Sequence, residues 1–133
     1  MKERIFIGVA WPYANGPLHM GHLAGCYLPA DIFARFHRLL GNNVIMVSGS
    51  DAHGTPVTIT AETLNISPEK VADKYQKEFL SDWARLGINF DLFTSTHTKN
   101  HEKVSQDIFT KLYERGLIYK DSMSQPFCEH QHK

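Results

Sequence analysis

Cysteine is scarce in this chain: there are two in 133 residues, Cys26 and Cys128, lying far apart. So few exclude the disulfide framework of a small secreted domain, and a reducing, cytoplasmic setting is the expectation. Neither sign of charge is in excess, because 14 Lys and Arg balance 14 Asp and Glu. The chain as a whole thus offers no electrostatic reason to expect DNA or an anionic membrane as partner, although a local patch is compatible with that balance. Long hydrophobic runs are missing too. The first apolar stretch follows a mixed-charge start and is interrupted by Trp11 and Pro12, which does not suit a signal peptide. No segment reads as a membrane span of about 20 apolar residues.

What is there suits a globular protein. Hydrophobic residues make up 42% and charged residues 21%, so a core can form and disorder is excluded as the main state. The length corresponds to one domain or the front part of a larger one. Residues Ile5 to Ala30 contain no Asp, Glu, Lys or Arg, yet they hold two His, three Pro, four Gly and Asn15. That mixture reads as the wall of a site.

Ile5 to Val9 predicts a buried strand, ended by a structured loop from Ala10 to His19 that carries two prolines and an Asn15-Gly16 turn pair. Leu23, Tyr27, Ile32, Phe33, Phe36, Leu39 and Leu40 then fit a helix with a broad apolar face, stopped by Gly41 and kinked or broken by Pro29. Asn43 to Ser48 predicts a second strand. Strand, helix and strand within about 50 residues make a βαβ unit, so the fold class is α/β with a parallel sheet and flanking helices. Thr55-Pro56 and Ser67-Pro68 mark two helix starts by a capping hydroxyl before a proline. The second of these helices carries Val71, Tyr75, Phe79, Trp83 and Leu86 and ends at Gly87. A last helix near Lys99 to Arg115 turns Val104, Ile108 and Leu112 inward and stops at Gly116, after which the remaining residues read as a strand and an unfinished module.

Chemistry concentrates at two turns. His19-Met20-Gly21-His22 sits where the first loop feeds its helix, gathering two imidazoles and backbone N–H groups at a positive helix end. Such a place suits a phosphate, with Gly21 letting a flat base or sugar approach the backbone. A zinc pair or two solvent-facing histidines are the alternatives. Asp51 closes the second strand, at the sheet edge that the first loop also occupies. A carboxylate there matches an ammonium group; a helix-capping or turn-forming Asp is the alternative. His53 suits either a loop-holding or a nucleotide-contacting role.

The segment Pro12 to His22, PYANGPLHMGH, resembles the signature of class I aminoacyl-tRNA synthetases, whose HIGH tetrad stands here as His19-Met20-Gly21-His22. Alone, the tetrad also fits nucleotidyltransferases and the synthetases for leucine, isoleucine and valine. Ser48 to Pro56, SGSDAHGTP, is similar to the methionine branch of that family, and the similarity continues through Ile66 to His101 and on to the end.

The resemblance implies a Rossmann-like nucleotide-binding fold of which this is the first half. Residues 1–117 would belong to the catalytic domain, and 118–133 would open an inserted connective module with a zinc knuckle. It implies ATP-dependent activation of methionine to methionyl-adenylate and transfer to the terminal adenosine of tRNA(Met), with ATP and Mg2+ as cofactors. The attacking carboxylate is already anionic, so no general base is needed, and catalysis must come from alignment and from stabilising phosphate charge. His19 and His22 take the catalytic role as donors to the triphosphate, with Asn15, Gly16 and Gly21 on the ATP side. Asp51 takes the methionine ammonium.

Methionine is unbranched, apolar and polarizable, so aromatic and small residues should line its pocket. Ala10, Trp11 and Tyr13 are the candidates, with loop aromatics packing on the sheet as the alternative. Cys128, His130 and His132 offer at most part of a Zn2+ site, and a His-containing tail suits this chain better. The KMSKS signature of the family has no counterpart here beyond the superficial echo Lys120 to Ser124, so these residues alone are expected to be inactive. Two other functions stay open: a synthetase for another apolar amino acid, and a synthetase-like binding module without catalysis.

Overall fold

The computed structural model describes residues 2–124 and Pro126, and the chain divides into two units, Met1–Glu102 and Lys103–Lys133. In the first unit, β1 (Arg4–Gly8), β2 (Asn43–Ser50) and β3 (Leu92–Ser95) form a parallel sheet in that order. Ile7 stands opposite Met46, and Ser48 opposite Phe93. Parallel neighbours need long crossovers. The first runs through α1 (Met20–His22), a π-helical segment Leu23–Tyr27 and α2 (Leu28–Leu39). The second runs through α3 (Thr55–Leu64) and α4 (Pro68–Leu86).

The α/β class with flanking helices is therefore as expected. The strand β3 is not legible in the sequence, where Leu92–Ser95 is only four residues long; its pairing with β2 defines it. The predicted break at Pro29 takes a specific form. A proline ring would collide with the carbonyl four residues back and has no N–H to give it. The π-helical segment ends two residues before Pro29, with Leu28 N–H donating to Leu23 O, so the extra residue per turn absorbs the mismatch without ending the helix. Ser67 caps α4 as foreseen, its hydroxyl accepting from Lys70 N–H at 3.4 Å. The start of α3 differs: its N-cap is Gly54 at φ +106°, and Thr55 is already helical. A positive φ there is open to glycine at no cost, so the hydroxyl cap is not used.

The core lies between one sheet face and the helices, and holds Met46, Tyr27, Ala34, Val57, Val71, Phe79 and Trp83. Burying a side chain such as Phe79 or Met46 stabilises by about 1.5–3 kcal/mol. Trp83 stands against Tyr27 at 4.5 Å between ring centroids and against Phe90 at 5.7 Å. From α4, then, come the inward Val71, Tyr75, Phe79 and Trp83 that their spacing predicts, while Leu86 is exposed.

The apolar face expected of the first helix turns out otherwise. Its buried residues are Tyr27, Asp31 and Ala34, whereas Ile32, Phe33, Phe36, Leu39 and Leu40 are exposed, Leu39 to 87%. Polar anchoring decides the rotation. Asp31 accepts from Arg35 at 2.5 Å and from Asn89 N–H at 3.2 Å, Arg35 also donates to Gly87 O, and Arg38 pairs with Asp91 at 2.8 Å. On the sheet, Phe6, Ile45 and Leu92 are likewise exposed.

The second unit carries most of α5 (Lys99–Glu114), which ends at Gly116 with φ +69°. The expectation that Val104, Ile108 and Leu112 point inward is not met: no residue of α5 is buried. An amphipathic stripe shows which side seeks cover, and among the described residues none of this helix's apolar side chains has found it. Among the described residues the strand expected after Gly116 does not form, residues 117–124 having no regular structure. A strand exists only through a paired neighbour. Cys128, His130 and His132 lie outside the described residues. Among the described residues no helix is long and apolar enough to cross a membrane.

Candidate active site

The carboxyl edge of the sheet brings the two predicted turns together. Beyond β1 and β2 the chains continue side by side through a parallel bridge between Tyr13 and Asp51. Asp51 N–H donates to Pro12 O at 2.8 Å, and Ala14 N–H donates to Asp51 O at 2.8 Å. Two backbone hydrogen bonds thus tie the Trp-Pro-Tyr loop to the aspartate. The Ala10 carbonyl at the start of that loop accepts from the Tyr27 hydroxyl at 3.2 Å and from Ser48 Oγ at 3.3 Å. Burial, and secondarily the neighbouring Cys26, hold the Tyr27 phenol well above its ordinary pKa, so it is a donor across the physiological range.

Trp11 is half exposed, and its ring lies over Gly49, where a Cβ would come 2.9 Å from ring atoms and 2.9 Å from Thr94 O. The aromatic can lie on β2 because nothing projects there. Tyr13 is exposed, as an aromatic open to a ligand would be. Asn15 is anchored through its carbonyl, which accepts from Thr60 Oγ at 3.1 Å, and Gly16 has open space around it.

His19 and His22 form a reciprocal cap. His19 Nδ1 accepts from His22 N–H at 3.2 Å, and His22 Nδ1 accepts from His19 N–H at 3.3 Å. The rings stack 3.6 Å apart at 17°. With both Nδ1 atoms accepting, each neutral ring carries its proton on Nε2, the atom left over for a ligand. The cap occupies two of the backbone N–H groups expected to be free at this helix start. Space beside Gly21 is also taken: a Cβ there would sit 3.0 Å from His19 Cε1 and Nδ1. The glycine makes room for the His19 ring.

Asp51 is half-buried. Its Oδ1 accepts from His53 N–H at 3.3 Å and lies 3.5 Å from the Thr96 hydroxyl. His53 Nε2 in turn is 3.3 Å from Thr96 O, and its ring is 5.9 Å from that of His97. Thr96 and Ser48 are the participants that sequence reasoning missed; both depend on strand pairing, which no local motif announces.

The family described as tRNA synthetases class I (M) matches residues 5–133. The chain belongs to this synthetase family. A methionine–tRNA ligase of Dehalococcoides mccartyi is 60% identical over 130 residues, covering 98% of this chain and 24% of that protein. This synthetase chain therefore spans about a quarter of the length of such curated relatives. Among solved structures, Mycobacterium tuberculosis methionyl-tRNA synthetase in complex with methionyl-adenylate matches with a TM-score of 0.79 and 27% identity, over 86% of this chain and 22% of that one. The Agrobacterium radiobacter K84 LeuRS in its ternary complex with tRNA and LeuAMS matches with a TM-score of 0.85 and 26% identity, over 92% and 16%. The synthetase fold is thus common to methionine and leucine members.

Proposed function

We propose that this chain supplies the methionine- and ATP-facing front of a methionine–tRNA ligase. In that reaction a carboxylate oxygen of methionine attacks the α-phosphorus of ATP and pyrophosphate leaves. The methionyl group of the adenylate then passes to the terminal adenosine of tRNA(Met), releasing AMP. Residues 1–117 are read as the first half of the catalytic domain and 118–133 as the start of an inserted module, at work in the cytoplasm.

The observation that carries this proposal is the Tyr13–Asp51 bridge, which sets an aromatic loop against a carboxylate at one strand edge. A zwitterionic amino acid with an apolar side chain suits that pair: Asp51 takes the ammonium, and Ala10, Trp11 and Tyr13 take the thioether. His19 and His22 donate from Nε2 to phosphate oxygens, where charge develops in the transition state. Asn15, Gly16 and Gly21 shape the ATP side. Among the described residues no group of three His, Cys, Asp or Glu could hold a metal ion. These residues do not fit a resident metal; Mg2+ is expected with the phosphates of ATP, and zinc would depend on Cys128, outside the described residues.

The test is a chimera in which this chain replaces the matching 130 residues of the Dehalococcoides mccartyi ligase. Methionine, leucine and isoleucine are offered separately in ATP–pyrophosphate exchange. Exchange with methionine alone is expected. Exchange with leucine or isoleucine in its place, or with none of the three, overturns the proposal.

A further inference from the structure

We infer that Thr96, one residue beyond β3, is a positioning residue that orients the Asp51 carboxylate; the inference rests on the methionine-activation proposal above. Thr96 N–H donates to Ser50 O at 3.0 Å, extending the ladder between β2 and β3 past the strand's end and bringing the side chain beside the Asp51 turn. The Thr96 hydroxyl oxygen accepts from Ala52 N–H at 2.8 Å. An amide N–H can only donate, so the hydroxyl proton is not engaged there and is directed to Asp51 Oδ1, 3.5 Å away. His53 N–H reaches that same oxygen at 3.3 Å.

Two donors therefore face Oδ1, at 3.3 Å and 3.5 Å, while Oδ2 has no hydrogen-bond partner among the described residues. The carboxylate presents one fixed oxygen to the fold and one open oxygen to a ligand. Without the tether, the side chain would have to be ordered anew each time an ammonium binds, which weakens binding. Threonine suits the task because its β-branch restricts χ1 and so aims the hydroxyl. Because the ammonium is present in substrate and transition state alike, losing the tether weakens methionine binding while leaving the chemical step nearly intact.

In the chimera, Thr96→Val is expected to raise the methionine KM about tenfold, with kcat within about threefold and the ATP KM unchanged. It should also narrow the preference for methionine over its 2-hydroxy analogue, which has no ammonium, while Thr96→Ser keeps both values close to those of the parent. Thr96→Ala gives the same readout if Thr96→Val does not fold. A parental methionine KM in the variants lacking the hydroxyl overturns the inference. So does an equal rise in the KM of ATP and methionine, or a Thr96→Ser variant as impaired as the others. A parent chimera with no methionine-dependent exchange overturns the functional proposal itself, and this inference with it.

Discussion

His19 and His22 exchange backbone-to-ring hydrogen bonds, each N–H reaching the other's Nδ1, and their rings stack 3.6 Å apart. The pair is thus one unit: it closes the helix start and at the same time turns two Nε2–H donors outward. Cap and candidate catalytic group are the same two rings, acting through different nitrogens.

His22→Ala in the chimera should lower kcat for methionine-dependent exchange by about a hundredfold, the scale of one lost oxyanion donor. The methionine KM should move by less than about threefold, because the ring is asked to act on phosphate. His22→Gln keeps an acceptor for the cap, as in a capping box, and an amide N–H to donate, so it should be milder than His22→Ala. Equal losses in kcat and methionine binding would contradict the phosphate role.

Gly49 should tolerate no side chain. The Cβ of Gly49→Ala would sit 2.9 Å from the Trp11 ring and 2.9 Å from Thr94 O. The half-exposed ring can swing away; the carbonyl, in a paired strand, cannot. A stability loss of about 1–3 kcal/mol is expected in urea denaturation, with Trp11 emission moving to the red as the ring enters water. Adding Trp11→Leu should recover only part of the loss, since the backbone contact persists. Unchanged stability in Gly49→Ala would show that the approach is not tight.

What the sequence could tell depended on how local each cause is. The first strand, expected as buried over Ile5 to Val9 and found over Arg4–Gly8 with Phe6 exposed, and the helix ended by Gly87 follow from periods and residue types within a few positions. The strand Leu92–Ser95 and the role of Thr96 arise from pairing with residues more than 40 positions away, which leaves no local trace. The side of α2 that faces inward is not legible in the sequence for a related reason. Its bulky residues Ile32, Phe36 and Leu39 outline an apolar face, but the buried Asp31 and its partners Arg35 and Asn89 set the rotation. Pattern identifies an apolar face without identifying what covers it. The family motifs point to His19, His22 and Asp51, and the contacts around them imply the tautomer and the tethers.

Asp31 offers a direct test of that rotation. It is 3% exposed, accepts from Arg35 and holds the Asn89 N–H at 3.2 Å. Asp31→Ala leaves that N–H without its acceptor and should cost about 1.5–3 kcal/mol. Asp31→Asn can still accept from Asn89 N–H and should cost less. Arg35→Ala should be milder than Asp31→Ala, because the arginine side chain is half exposed and water can replace its contacts. If Arg35→Ala costs more than Asp31→Ala in urea denaturation, the buried carboxylate is not the anchor.

Tyr27 makes stability depend on alkaline pH. Burial first, and the nearby Cys26 second, raise its phenol pKa in the folded state above the ordinary value of 10.0. In the unfolded chain the phenol ionises near that ordinary value, so above about pH 10 unfolding releases a proton and is favoured by rising pH. The contribution is fully present below the unfolded pKa and is lost as pH climbs toward the folded one. The slope is up to about 1.4 kcal/mol per pH unit for one group. Tyr27→Phe has no proton to lose there. At neutral pH it should be less stable by about 1 kcal/mol, having given up the bond to Ala10 O. Above about pH 10 its stability should fall less steeply than that of the parent, so the gap narrows. The other tyrosines titrate in both proteins and cancel in the comparison. Parallel stability curves from about pH 8 to about pH 11 would mean that the Tyr27 hydroxyl is already open to water, and its hold on the Ala10 carbonyl, at the root of the candidate methionine loop, would go with it.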